Sequence, residues 1–144
     1  MFQLKIIHSI LPTQSSLFRA GLTDLDNCLL CNLESQSLAH LLITCCESMK
    51  FWDLFTRWWH QHIVLSEKVI LYGWHHNCSL INSIALNYSL IIAKYHIFTS
   101  SIQVGSLDFD GFLLRLKDKL CILCTLAVKN KELDQFKETW AALL

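Results

Sequence analysis

The chain has 144 residues, with twelve Lys and Arg against twelve Asp and Glu, and 53% of its residues are hydrophobic. That length suits one domain, or one domain with an extension, and is enough for a real core. Zero net charge excludes a global field that would draw the chain to nucleic acid or to a membrane surface, and no run of ~18 uninterrupted apolar residues offers a membrane span.

One proline and four glycines argue for helices and against a many-turned β sandwich. The expected fold is mainly α: a small helical bundle with an N-terminal zinc-knuckle segment and little or no β-sheet. In chain order, residues 2–10 form a short apolar segment that Pro12 stops. Thr13 can cap a second short helix, QSSLFRA, which ends at Gly21. Residues 1–11 contain a lone lysine and no small-residue cleavage site, so they do not read as a signal sequence. An intracellular protein, cytoplasmic or nuclear, is the expectation.

Residues 28–45 read CLLCNLESQSLAHLLITC, which is Cys-x2-Cys-x8-His-x4-Cys. These are the ligand types and the opening spacing of a structural zinc site, with Cys28, Cys31, His40 and Cys45 as the ligands. Two cysteines three positions apart on a tight turn can aim both sulfurs at one point. Ser37 is a candidate N-cap for a helix starting near Leu38, with His40 in its first turn. His40 and Cys45 are five residues apart, about 500° of rotation on an ideal helix. The helix must therefore break or distort near Thr44 and Cys45, and Cys46 stands beside Cys45 as a substitute ligand. Seven cysteines, an odd number, argue against a disulfide framework.

From residue 47 to about 62, Phe51, Trp52, Phe55, Trp58, Trp59 and Ile63 form an apolar stripe opposite Lys50, Asp53, Arg57 and Gln61. Such a stripe can stack bases, but it lacks interleaved cations, so core packing is the better expectation. Residues 64–78 read as a connector with Gly73 as its clearest break. Residues 79–102 then form a helix with a seam at Ile81, Ile84, Tyr88, Ile91, Tyr95, Phe98 and Ile102, and with Asn87, Lys94 and Ser101 along its polar edge. Asp108 is a candidate N-cap for the next helix, whose seam runs through Phe109, Leu113, Leu116, Leu120, Leu123 and Ala127. A last amphipathic segment carries Leu133, Phe136, Trp140 and Leu143. The organisation is thus residues 1–63, a connector at 64–78, and a helical part, 79–144, packing on the first. Mutual core packing of the three seams is expected, with partner-helix contact as the alternative.

Other chemistry is sparse. Cys121 and Cys124 repeat the Cys-x2-Cys spacing inside an apolar helix and read as core fillers. His75, His76 and Cys78 are the residues that would have to join them in any second metal site. No Gly-rich phosphate loop, His-Glu-x-x-His or Gly-x-Ser-x-Gly motif is present, so neither an enzyme nor a small-molecule substrate is expected.

The segment KIIHSILPTQSSLFRAGLTDLDNCLLC, followed by HLLITC and KFWDLF, resembles the zinc-binding segment after the reverse transcriptase domain of LINE-type (non-LTR) retrotransposon polyproteins. Later pieces, LYG, IIAKYHI and KNKELDQFKETW, are similar to the tails of such polyproteins. The resemblance implies zinc at Cys28, Cys31, His40 and Cys45, and contact with RNA or DNA. The polymerase motif Tyr/Phe-x-Asp-Asp is missing and no endonuclease domain precedes the segment. A nucleic-acid-binding module without polymerase or nuclease activity is therefore the expectation, with Lys5, Arg19, Lys50 and Arg57 as the contacts. The alternative is a helical protein-interaction module, or a degenerate fragment without selected activity.

Overall fold

A computed structural model describes residues 1–59, 62–75, 80–103, 105–141 and 143, and only the backbone at 80–82. His76, Cys78, the side chain of Ile81, and positions 60 and 61 of the helix expected over 47 to about 62 therefore lie outside the described residues. The chain is mainly α. Its helices are α1 (Phe2–Ile7), α2 (Gln14–Arg19), α3 (Cys46–Trp58), α4 (Glu67–Tyr72), α5 (Leu80–Gln103), α6 (Phe109–Asn130) and α7 (Leu133–Trp140), with a π turn over His40–Thr44. Among the described residues the only β pairing is a single bridge between Asn27 and Ser35. No helix among them is long and apolar enough to cross a membrane.

Local chemistry sets the boundaries. Thr13 and Ser16 form a reciprocal capping box at the start of α2. Leu22 N–H donates to Leu17 O and Gly21 N–H to Phe18 O, a Schellman ending in which Gly21 takes φ 70°. At the start of α6 the Asp108 carboxylate accepts from Gly111 N–H at 2.7 Å, as a cap should. A Cβ on Gly111 would fall 2.7 Å from that carboxylate, so a larger residue there would have to displace the Asp108 side chain. Two boundaries differ from expectation. The first helix stops at Ile7, five residues before Pro12, because Ser9 turns left-handed at φ 53°. The segment read as connector contains α4, capped by Ser66 and closed by Gly73 at φ 96°.

One cluster of buried residues runs from Ile6 to Trp140. At its centre the aromatic face of α3 meets α6: Phe51 lies 5.3 Å from Phe109 and 5.4 Å from Phe112 between ring centroids. Phe55 sits 5.8 Å from Phe112. The α3 aromatics are core, and only Trp58 among them is half exposed, so they offer no base-stacking platform. The helix α5 packs on α6, α7 and the π turn. Its burial does not follow the expected seam. Ile84, Tyr95 and Ile102 are exposed, whereas Lys94 and Ser101 are buried. The close-packed face carries Ala85, Leu86, Ser89, Leu90, Ala93 and Ile97. Ala85, Ser89 and Ala93 let neighbouring backbones approach, and Leu86, Leu90 and Ile97 fill the space beside them, while Ile84 and Ile102 fall outside this face. Cys121 is exposed and does not fill the core as expected, whereas Cys124 is half-buried and packs against the core cluster.

Candidate metal centre

The first two cysteines sit on a reversal of the chain. Cys28 N–H donates to Glu34 O at 2.7 Å and Gln36 N–H to Asp26 O at 2.8 Å, which closes a small loop around the Asn27–Ser35 bridge. Inside it, Asn32 N–H donates to Cys28 O at 2.8 Å, and Asn32 adopts φ 56°. Asparagine enters this left-handed region more readily than most residues. The buried Gln36 side chain accepts, through Oε1, from Leu29 N–H at 2.8 Å. The helix α2 braces the loop, because Ser15 N–H donates to Gln36 O and the Ser15 hydroxyl lies 3.0 Å from that of Ser35.

The other two ligands come from one distorted turn. The Ser37 hydroxyl accepts from His40 N–H at 3.0 Å, capping a helical turn that begins at Leu38. The turn then widens: Cys45 N–H donates to His40 O at 2.8 Å, an i→i+5 bond. Cys45 itself is extended, at φ −60° and ψ 131°, before α3 begins at Cys46. The break expected near Thr44 and Cys45 is thus a π turn, and it brings His40 and Cys45 toward one side. The carbonyls left over by the break are met from α3. The Ser48 hydroxyl donates to Leu41 O at 2.6 Å and the Trp52 indole to Leu42 O at 2.7 Å. Two side chains of the aromatic helix therefore fix the turn that holds the ligands.

The donor atoms of Cys28, Cys31, His40 and Cys45 all lie within 4.8 Å of one another, and among the described residues no other such group occurs. Cys28 Sγ is 3.8 Å from Cys45 Sγ, and Cys31 Sγ is 3.3 Å from His40 Nε2. Around a tetrahedral zinc ion the corresponding edges are about 3.8 Å and about 3.6 Å, given metal–sulfur and metal–nitrogen bonds of ~2.3 and ~2.0–2.1 Å. The four atoms can hold a metal ion with little rearrangement. Cys46 is excluded as a member, since it is exposed and its sulfur turns to the Glu47 carboxylate at 3.8 Å. His75 is exposed and joins no group.

Two residues that sequence reasoning did not assign complete the site. The Glu34 carboxylate is 3.2 Å from His40 Nδ1, and the Thr44 hydroxyl is also 3.2 Å from that nitrogen. A proton on Nδ1 shared with Glu34 leaves Nε2 as the ligand atom, the carboxylate–histidine arrangement common around metals. In the sequence Glu34 stands in a polar run, Glu34-Ser35-Gln36-Ser37, and no spacing rule links it to His40.

The thiols are not alike. Burial pushes the Cys28 thiol up, and burial pushes Cys45 up to about 11. Burial acts the same way on Cys31, but the Leu33 backbone N–H, then His40 and the neighbouring thiols, outweigh it and bring Cys31 down to about 6. One thiolate is therefore available near neutrality, and two buried thiols stay protonated until a cation displaces their protons. Metal binding at such a site releases protons.

The four candidate nucleic-acid contacts are exposed, but they do not share one element. Lys5 is on α1, Arg19 on α2, and Lys50 and Arg57 on α3. Lys50 pairs with Glu47 at 2.7 Å and Arg57 with Asp53 at 2.7 Å. Among the described residues Lys5 and Arg19 form no ion pair, and Arg19 Nε donates only to Ser15 O in its own helix. Compared with family models, with curated proteins and with solved structures, the chain finds no match.

Proposed function

We propose that Cys28, Cys31, His40 and Cys45 bind one structural zinc ion, and that the chain is a zinc-stabilised nucleic-acid-binding module rather than an enzyme. The observation that carries the metal assignment is the convergence of three sulfurs and one imidazole nitrogen within 4.8 Å. Soft thiolates with one imidazole select zinc over magnesium or calcium, and four protein ligands leave no position for an activated water. Zinc in this place would tie the loop at Cys28–Cys31 to the turn that leads into α3.

The nucleic-acid partner rests on the resemblance to the segment that follows the reverse transcriptase domain in LINE-type polyproteins. Arg19 supports it: it lies on α2, the helix whose Ser15 braces the knuckle loop, and among the described residues it forms no ion pair. Of the four candidates Lys5 is the other one without an ion pair among the described residues, whereas the ion pairs of Lys50 and Arg57 weaken their claim. With two to four phosphate contacts at most, binding should be modest, with a shallow salt slope.

A second reading, contact with another protein, is favoured by the outer face of α6, where Leu114, Ile122 and Leu126 are exposed. A gel-shift titration at low salt against single-stranded RNA and duplex DNA separates the two. Binding that weakens with salt and is lost in Lys5→Glu, Arg19→Glu supports the first reading. No shift at tens of micromolar protein, with zinc bound, removes it and leaves protein contact.

A further inference from the structure

Lys94 lies at mid-length in α5 and is 1% exposed. Its ammonium donates to Gln3 Oε1 at 2.6 Å and to Leu71 O at 3.2 Å. The Gln3 amide also donates to Leu71 O, at 2.6 Å, so the lysine and the glutamine together satisfy a terminal carbonyl of α4. An ammonium has three N–H donors, and this structural role uses two. Among the described residues no carboxylate pairs with Lys94, although a buried cation ordinarily requires one. Burial lowers its pKa to about 8, which still leaves it mostly charged at neutral pH.

The same side chain lines a cleft of about 180 Å³ between α1, the end of α4 and α5. Ile7, Leu90, Ile91 and Tyr72 supply apolar lining, and Lys94 supplies the one full charge. The other amides there are engaged: Gly73 N–H donates to Val69 O, and Asn87 exchanges hydrogen bonds with both the N–H and the carbonyl of Trp74. A phosphate would bring several oxygens to a site with one spare ammonium proton. A monoanion with a short apolar body fits that inventory better. The volume lies below the ~300–1,000 Å³ typical of drug-sized ligands, which limits the ligand to a small one.

We propose that this cleft binds a small aliphatic monocarboxylate, whose carboxylate takes the third N–H of Lys94 while its chain packs against Ile7, Leu90 and Ile91. The charge-assisted bond supplies the counter-ion that the fold itself withholds from Lys94.

The test is an amide-shift NMR titration of the full zinc-loaded chain with hexanoate, and in parallel with hexanol and inorganic phosphate. Hexanoate should give saturable shifts at Gln3, Gly73, Asn87 and Lys94, with a dissociation constant on the order of 1 mM for a ligand of this size. Hexanol and phosphate should each bind at least about tenfold more weakly, because each lacks one half of the match. Lys94→Met, which keeps the length and apolar stem, should lose the preference for hexanoate over hexanol. The proposal is overturned if hexanoate fails to saturate by about 20 mM, if hexanol binds equally well, or if Lys94→Met keeps the preference. Should that variant not fold, the comparison of the three ligands on the unmodified chain decides alone.

Discussion

Adjacent cysteines at 45 and 46 have opposite fates, and the reason is a backbone angle rather than composition. The extended conformation of Cys45 sends its sulfur inward before α3 starts, and Cys46 opens the helix on its solvent side. The two positions were indistinguishable in the sequence. Cys28→Ser or Cys45→Ser is therefore expected to lose stoichiometric zinc in elemental analysis of purified protein, while Cys46→Ser keeps it. Loss of zinc in Cys46→Ser alone would reassign the fourth ligand. Glu34 permits a graded test. Removing a carboxylate behind a ligand histidine commonly weakens metal affinity by ~10–100-fold. Glu34 is 70% exposed, and solvent screens it, so Glu34→Ala should fall near the lower end, about tenfold. Competition with a chromophoric chelator measures this directly.

At the scale of elements, what was legible depended on how directly a local rule acts. Thr13, Gly21, Ser37 and Asp108 are helix signals in the sequence, and each makes the bond that such a signal implies. The α6 seam was also readable, because Leu116, Leu120 and Ala127 are its only buried face together with Phe112. The helix α5 misled because it is apolar nearly all round, so a heptad of bulky residues carried no directional information. Its true inner face is marked by Ala85, Ser89 and Ala93 at four-residue spacing, with the Ser89 hydroxyl returned to Ala85 O at 2.9 Å. A short helix such as α4 escapes pattern reading since six residues span under two turns. Two consequences can be measured. Lys131 ends α6 in the left-handed region at φ 63°, where glycine carries no Cβ penalty. Lys131→Gly should raise unfolding free energy by about 0.5–1 kcal/mol in urea titration. Trp52→Phe keeps the ring contacts but strands the buried Leu42 carbonyl, and should cost about 1–3 kcal/mol.

For the whole molecule, the candidate metal centre is not a separate appendage. The π turn that bears His40 packs on α3, α4 and α5, and Leu41, Leu42, Cys28 and Cys45 belong to the same buried cluster as Phe112 and Trp140. Releasing the ion should therefore be felt across the chain, since ligand affinity for the folded state adds to folding free energy. Chelation is expected to lower the thermal midpoint of one shared transition, followed both by tryptophan fluorescence and by helical circular dichroism. A biphasic melt, with the upper phase unmoved by chelator, would show that α5–α7 stand independently of the site. The pH dependence has a definite sign. Protons compete with the metal for three thiolates and an imidazole, so acidification should lower the midpoint more steeply in the zinc-bound chain than in the chelated one. The buried His96 adds a metal-independent part. Burial lowers its pKa below the ordinary 6.5, so the unfolded chain takes up protons first and stability falls as pH drops below about 6.5. His96→Phe should flatten that part in the chelated protein while leaving the metal-linked slope intact, provided the lost hydrogen bond to Asp108 O leaves the fold in place. A midpoint in the chelated chain that stays level from pH 7 to about 5 would refute the assignment of His96 as a neutral buried group.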